Sequence, residues 1–181
     1  EYRGLNLSHP PRLHWVSTDS DALSAFEKQR FDMVVIISHY ADSDTASIGP
    51  EIQARDPELP IIYLNHDVTD ALECVPNENE ALDNVRTFLW TGNTDILLAI
   101  VKSVEDEMNV THDTYTAGIR VIIFVEDSTE YISSLLPILY RELVIQTQSV
   151  MEEGLNEEHR LLAMRARPKI LVAKDYESAK D

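Results

Sequence analysis

Residues 31–38 read FDMVVIIS, a nearly continuous apolar run that is rich in β-branched side chains. Residues 60–65 read PIIYLN and show the same character after a proline. Runs without polar alternation are typical of strands that are covered on both faces in a parallel sheet. We therefore predict that both runs are interior strands of an α/β domain.

Working outward from these runs, strands and amphipathic stretches alternate. The predicted strands cover 13–17, 31–38, 60–65 and 86–90, and the predicted helices begin at Ser20, lie near 50–55 and run from Thr94 to Met108. Ser20 and Thr94 can each cap the helix that follows. Strands that alternate with helices favour right-handed crossovers, so we predict a doubly wound parallel sheet.

A second pattern begins after a polar stretch. Residues 119–125 read IRVIIFV and predict a strand, a long helix is expected from about 129 to 153, and residues 168–173 predict another strand. We interpret 111–118 as a linker between a domain at 1–110 and the start of a second unit at 119–181. The basic residues His159, Arg160, Arg165 and Arg167 precede the last strand. This cluster is either a solvated surface or a docking site for an acidic surface of the chain itself or of a neighbouring domain.

Composition narrows the function classes. The 181 residues include 15 Lys and Arg against 32 Asp and Glu, a formal net charge of −17. Such a surface repels phosphate backbones and anionic lipid, so we expect neither nucleic acid nor membrane as a partner. Cys74 is the single cysteine, which rules out an intrachain disulfide and fits a reducing compartment. The predicted localisation is cytoplasmic.

Several strings resemble the receiver domain of two-component response regulators. Residues 31–37 resemble the third receiver strand, residues 56–64 the turn into the fourth, and residues 125–128 the acidic end of the first. The resemblance implies a flavodoxin-like fold, with a first receiver that lacks its opening strand and a partial second receiver-like unit. Residues 121–128 and 166–171 also resemble the regulatory segment of proteins of the phosphoenolpyruvate synthase and pyruvate phosphate dikinase type.

The resemblance implies where a phosphorylation site would lie. A receiver needs a phospho-accepting Asp, a hydroxyl and a lysine, with carboxylates that hold Mg²⁺. On this chain the three positions carry Ile37, Asn65 and Trp90, none of which supplies the required group. We interpret the first unit as a pseudo-receiver that retains the fold and has lost the chemistry. Asp42 and Asp44, in the loop after the strand, are the displaced acids that would carry the alternative.

The second unit has acids at the matching strand end. Glu126 and Asp127 are candidate Mg²⁺ ligands, although acids also favour the N-terminus of a coming helix. Because an unpaired apolar strand edge promotes association, we expect 119–125 to pair into the first sheet, within one chain or between two. Pairing between chains would give a strand-sharing homodimer, and either pairing would bring Glu126 and Asp127 opposite Ile37.

Three functional hypotheses follow. The first is a non-enzymatic, receiver-like signalling module of a two-component or phosphorelay system, which regulates an attached or partner domain through protein–protein contacts. The second is a genuine Mg²⁺-dependent receiver that is phosphorylated on displaced acids. The third is a small hydrolase built around His66 and Asp67, for which the sequence offers no nucleophile elbow.

Overall fold

A computed structural model describes residues 12–37, 48–66, 84–152 and 167–180. The elements in chain order are α1 (Asp19–Lys28), β1 (Val34–Ile37), α2 (Ile48–Arg55), β2 (Ile61–Asn65), β3 (Val85–Leu89), α3 (Asp95–Ala117), β4 (Val121–Val125), α4 (Thr129–Glu152) and β5 (Lys169–Ala173). The chain divides into two compact units between Thr91 and Gly92, called here the N-terminal and C-terminal units. The α/β class and the parallel pairing are confirmed.

The N-terminal unit is built on a three-stranded parallel sheet in the order β1-β2-β3. Every residue of the central strand β2 is buried, as the largely apolar run that precedes Asn65 predicts. Ile36, Ile52, Leu59, Ile61 and Tyr63 belong to the core, and α1 and β3 add partly buried side chains to it. A Cβ atom on Gly49 would lie 1.8 Å from the Tyr63 Oη, so only glycine allows α2 this approach to β2.

The start of the N-terminal unit differs from the prediction. Residues 13–17 form no strand, and Leu13 and Trp15 are 84% and 77% exposed. Helix α1 is capped by Thr18 rather than Ser20, because the Thr18 Oγ1 accepts the amide hydrogen of Asp21 at 3.2 Å. The apolar residues of 13–17 predicted a strand, but none of the strands in the described part of the chain pairs with them.

The C-terminal unit combines helices α3 and α4 with a two-stranded parallel sheet of β4 and β5. Helix α3 packs against both α4 and β5. The predicted linker at 111–118 is corrected: residues 111–117 form the last turns of α3, and Gly118 ends that helix at φ 61°. The left-handed conformation at this C-cap is one that glycine adopts without strain.

Among the described strands, β4 pairs with β5 within the C-terminal unit. The expected pairing of 119–125 with the first sheet stays a prediction. Among the described residues, no helix is both long and apolar enough to cross a bilayer.

Candidate functional site

The three positions predicted for receiver chemistry lie at the carboxyl edge of the three-stranded sheet. Ile37 ends β1, Asn65 ends β2 and Trp90 follows β3 directly. Parallel pairing places Ile37 opposite Leu64 and Asn65 opposite Leu89, and the Trp90 amide donates to the Asn65 carbonyl at 2.7 Å. In open parallel sheets this edge is where ligands bind.

Asn65 is the unusual residue of this edge. Its side chain is completely buried, and neither Oδ1 nor Nδ2 has a hydrogen-bond partner within the described part of the chain. Burying an amide without partners costs free energy, so most buried side-chain amides are hydrogen-bonded. An amide also lacks the hydroxyl that would hold a phosphoryl group.

The flanking positions offer no reactive group either. Ile37 and Trp90 are each partly buried, one with an aliphatic side chain and the other with an uncharged indole. His66 is exposed just beyond β2. Asp42, Asp44 and Asp67 lie outside the described residues, so the displaced-acid and hydrolase hypotheses stay predictions.

Glu126 and Asp127 follow β4, at the turn into α4. The Glu126 amide donates to the Ala173 carbonyl at 2.9 Å and continues the ladder with β5. The Glu126 Oε1 accepts the Ser128 amide hydrogen at 3.0 Å, while Asp127 is exposed. Glu126 thus stabilises the turn before the helix, and one carboxylate oxygen is already engaged.

The candidate magnesium ligands therefore remain a pair. Within the described ranges, no three His, Cys, Asp or Glu side chains gather closely enough to hold a metal ion. Mg²⁺ is held in proteins by one or two carboxylates together with water or phosphate oxygens. The carboxylate oxygens of Glu126 and Asp127 that have no partner among the described residues are of the type that such a partly hydrated site uses.

An extensive polar cluster among the described residues of the C-terminal unit was not predicted. Asp106 of α3 is completely buried and accepts hydrogen bonds from Arg167 through both carboxylate oxygens, one of them from Nη1 at 3.0 Å. The Ile170 amide and the Tyr140 hydroxyl donate to its Oδ2 at 2.9 and 3.1 Å. Lys169 approaches within 3.5 Å, and the Arg167 guanidinium lies over the Tyr140 ring.

The groups of this cluster are hydrogen-bonded to one another and connect α3, α4 and β5. Both oxygens of the buried Asp106 accept hydrogen bonds from groups of its own chain, so the carboxylate links α3 to α4 and to the residues around β5. Arg167, which the sequence placed in a basic cluster, binds an acidic residue of its own chain and is only 11% exposed in its side chain. The other members of that cluster, His159, Arg160 and Arg165, are outside the described residues.

Helical spacing is the signal that could have revealed Asp106. The buried residues Ile96, Ala99 and Ser103 continue at the next i+3 step to Asp106, so a carboxylate sits on the inner face of the helix. A buried acid needs a cationic partner. The sequence alone does not say which of the basic residues supplies it.

Lys169 connects the cluster to a second acid at the end of α3. Its Nζ lies 2.7 Å from the Asp113 Oδ2, and the two side chains are 12% and 30% exposed. The hydrogen bond from Lys169 lowers the pKa of Asp113 below its ordinary value, against a smaller opposing effect of burial. These contacts fix the last turns of α3 to the first residue of β5.

Comparison of the chain with protein-family models, with curated proteins and with solved structures gave no match.

Proposed function

We propose that this chain is a receiver-like signalling module of flavodoxin-like type that does not accept phosphate in its N-terminal unit and acts through protein–protein contacts. The regulated partner is an attached or separate effector domain. The proposed setting is the cytoplasm, where a lone cysteine stays reduced.

The observation that carries the proposal is the composition of the carboxyl edge of the three-stranded sheet. Ile37, Asn65 and Trp90 end or follow three adjacent parallel strands, where a receiver would hold its acceptor, hydroxyl and lysine. No side chain among these three can form an acyl phosphate or neutralise one. Loss of chemistry with retention of the sheet favours a role in binding.

Strand order supports the fold assignment. Flavodoxin-like sheets have the order 2-1-3-4-5, in which the last three strands are sequential neighbours and so are the first two. The order β1-β2-β3 and the separate β4-β5 pair are compatible with the last three strands of one such unit and the first two of the next.

The alternative is phosphorylation on displaced acids with Mg²⁺. Glu126 and Asp127 are the described residues that favour it, because they lie at a strand end and keep free carboxylate oxygens. Two observations weigh against a complete site. The Oε1 of Glu126 is already engaged, and the candidate acceptors Asp42 and Asp44 are far from Glu126 in the sequence.

Intact-mass analysis separates the two proposals. The protein is incubated with Mg²⁺ and acetyl phosphate, beside an authentic receiver domain that shows that the donor is active. We expect no phosphoryl adduct on this chain. An acid-labile adduct would overturn the proposal, and its loss in Asp42→Asn, Asp44→Asn or Asp127→Asn would identify the acceptor.

A further inference from the structure

Strand β4 has one edge without a neighbour. It pairs with β5 on one side, and no described strand lies on the other. The Arg120 carbonyl accepts from Lys169 and the Glu126 amide donates to Ala173, so even-numbered residues bond to β5. Because backbone groups alternate in direction along a parallel strand, the amides and carbonyls of Val121, Ile123 and Val125 point away from β5.

Several apolar side chains of β4 are exposed to solvent, in addition to the backbone groups of its open edge. Ile122, Ile123 and Val125 are 39%, 51% and 49% exposed, and they include both faces of the strand. A strand of sequence VIIFV is of the interior type, yet here it forms an edge. Such edges are usually short, charged or covered.

A matching edge lies in the N-terminal unit. Strand β1 is an edge strand of the three-stranded sheet and pairs only with β2 among the described strands. The Val34 amide donates to the Pro60 carbonyl at 2.9 Å, so the backbone groups of Val35 and Ile37 point to the open side. Its sequence, VVII, is also of the interior type.

We propose that two copies of this chain associate by reciprocal strand pairing, β4 of each copy joining β1 of the other in parallel. Each resulting sheet has the order β5-β4-β1-β2-β3. The association goes beyond the signalling role proposed above and does not depend on it.

A second copy is the partner that fits both edges. A strand from another protein would cap β1 or β4 and leave the other edge open, whereas two copies related by a two-fold axis close all four edges at once. The interface is apolar and main-chain in character, but each copy carries a net charge of −17. Salt screens that repulsion, so the dimer is expected to tighten as ionic strength rises.

Sedimentation velocity of the whole chain at several concentrations, at low and at high NaCl, tests the proposal. We expect a monomer–dimer equilibrium whose dissociation constant falls with salt. A monomer at every concentration and salt level would overturn it, and so would polymers that keep growing beyond two copies.

A pair of lysine variants tests the surface. Ile123→Lys places a charge on β4, and Tyr115→Lys makes the same exchange at a 93% exposed position on α3. We expect Ile123→Lys to weaken the dimer at least about tenfold and Tyr115→Lys to leave it unchanged. Equal effects of the two variants would contradict the proposal.

Proline variants test which edges meet. Ile123→Pro and Val35→Pro each remove an outward amide hydrogen that the chain's own ladders do not use, and far-UV circular dichroism shows whether each variant is folded. We expect each to be monomeric alone, and a mixture of the two to form a heterodimer, because one intact β4 then meets one intact β1. Dimerisation of Val35→Pro alone, or no heterodimer from folded variants, would overturn the pairing of β4 with β1.

Discussion

At the residue scale, Asn65 combines a position at the end of β2, complete burial and an amide without described hydrogen-bond partners. Its position at the end of β2 was predicted from the sequence, and its complete burial follows from the apolar run that precedes it. Its lack of described hydrogen-bond partners was not predictable, because that depends on which groups the neighbouring strand ends present. Asn65 therefore lies at the carboxyl edge of the sheet with a buried amide that has no partner among the described residues.

Replacing Asn65 tests this description. Because leucine of similar size removes two unsatisfied polar atoms, we expect Asn65→Leu to raise the free energy of unfolding by about 1 kcal/mol, measured by urea denaturation. Asn65→Asp is the matched control and should lower it, since a carboxylate at this position would be buried without a cation. A loss of about 1 kcal/mol or more in Asn65→Leu would show that the amide has partners in the folded protein.

At the scale of elements, Asp106 joins α3 to α4 and β5. Exchanging one partner of a buried ion pair leaves the other charge buried, and the cost is typically about 3–5 kcal/mol. We expect Asp106→Asn to lose stability in this range in urea denaturation. Asp95→Asn is the control, because Asp95 lies 3.8 Å from Arg141 in an exposed pair, whose loss should cost less than about 0.5 kcal/mol.

A double variant tells whether the charge or the packing matters. Asp106→Leu with Arg167→Met removes both charges, so it should be less destabilised than Asp106→Leu alone. Equal losses in the single and double variants would contradict the assignment of Arg167 as the main partner of Asp106.

Asp113 adds a pH dependence to the same elements. The pKa of Asp113 is lowered in the folded protein by Lys169, so its contribution to stability is present above the ordinary carboxyl pKa and is lost as pH falls through the folded pKa. We expect Asp113→Asn to cost about 0.5–1 kcal/mol at pH 7 and progressively less as the pH is lowered below the ordinary carboxyl pKa, measured by urea denaturation at a series of pH values. An equal cost at every pH value would show that the ion pair with Lys169 does not stabilise the fold.

For the molecule as a whole, the sequence predicted the buried strands β1 and β2 correctly but misplaced the linker between the two units. The runs at 31–38 and 60–65 contain β1 and β2, as predicted, because β-branched residues without polar alternation favour strands that are covered on both faces. The polar stretch 111–117 was misinterpreted as a linker. The segment continues helix α3, and its Asp113 binds Lys169 of β5 at 2.7 Å, a long-range contact that local polarity does not reveal.

For the functional residues too, some features could be predicted from the sequence and others could not. Residue types at Ile37, Asn65 and Trp90 were readable from position along the strands, so the absence of an acceptor there was a sequence prediction. The pairing of Asp106 with Arg167 was not, because the two residues are 61 positions apart and many acids and bases lie between them.

That separation has a consequence for synthesis on the ribosome. At about 5–20 residues per second, roughly 3 to 12 s pass between translation of Asp106 and of Arg167, since 61 residues separate them. Throughout that interval Asp106 of α3 lacks the arginine that pairs with it in the folded protein. We therefore expect the C-terminal unit to complete its packing only after β5 has been made, because Arg167 and Ile170 both bind Asp106 of α3.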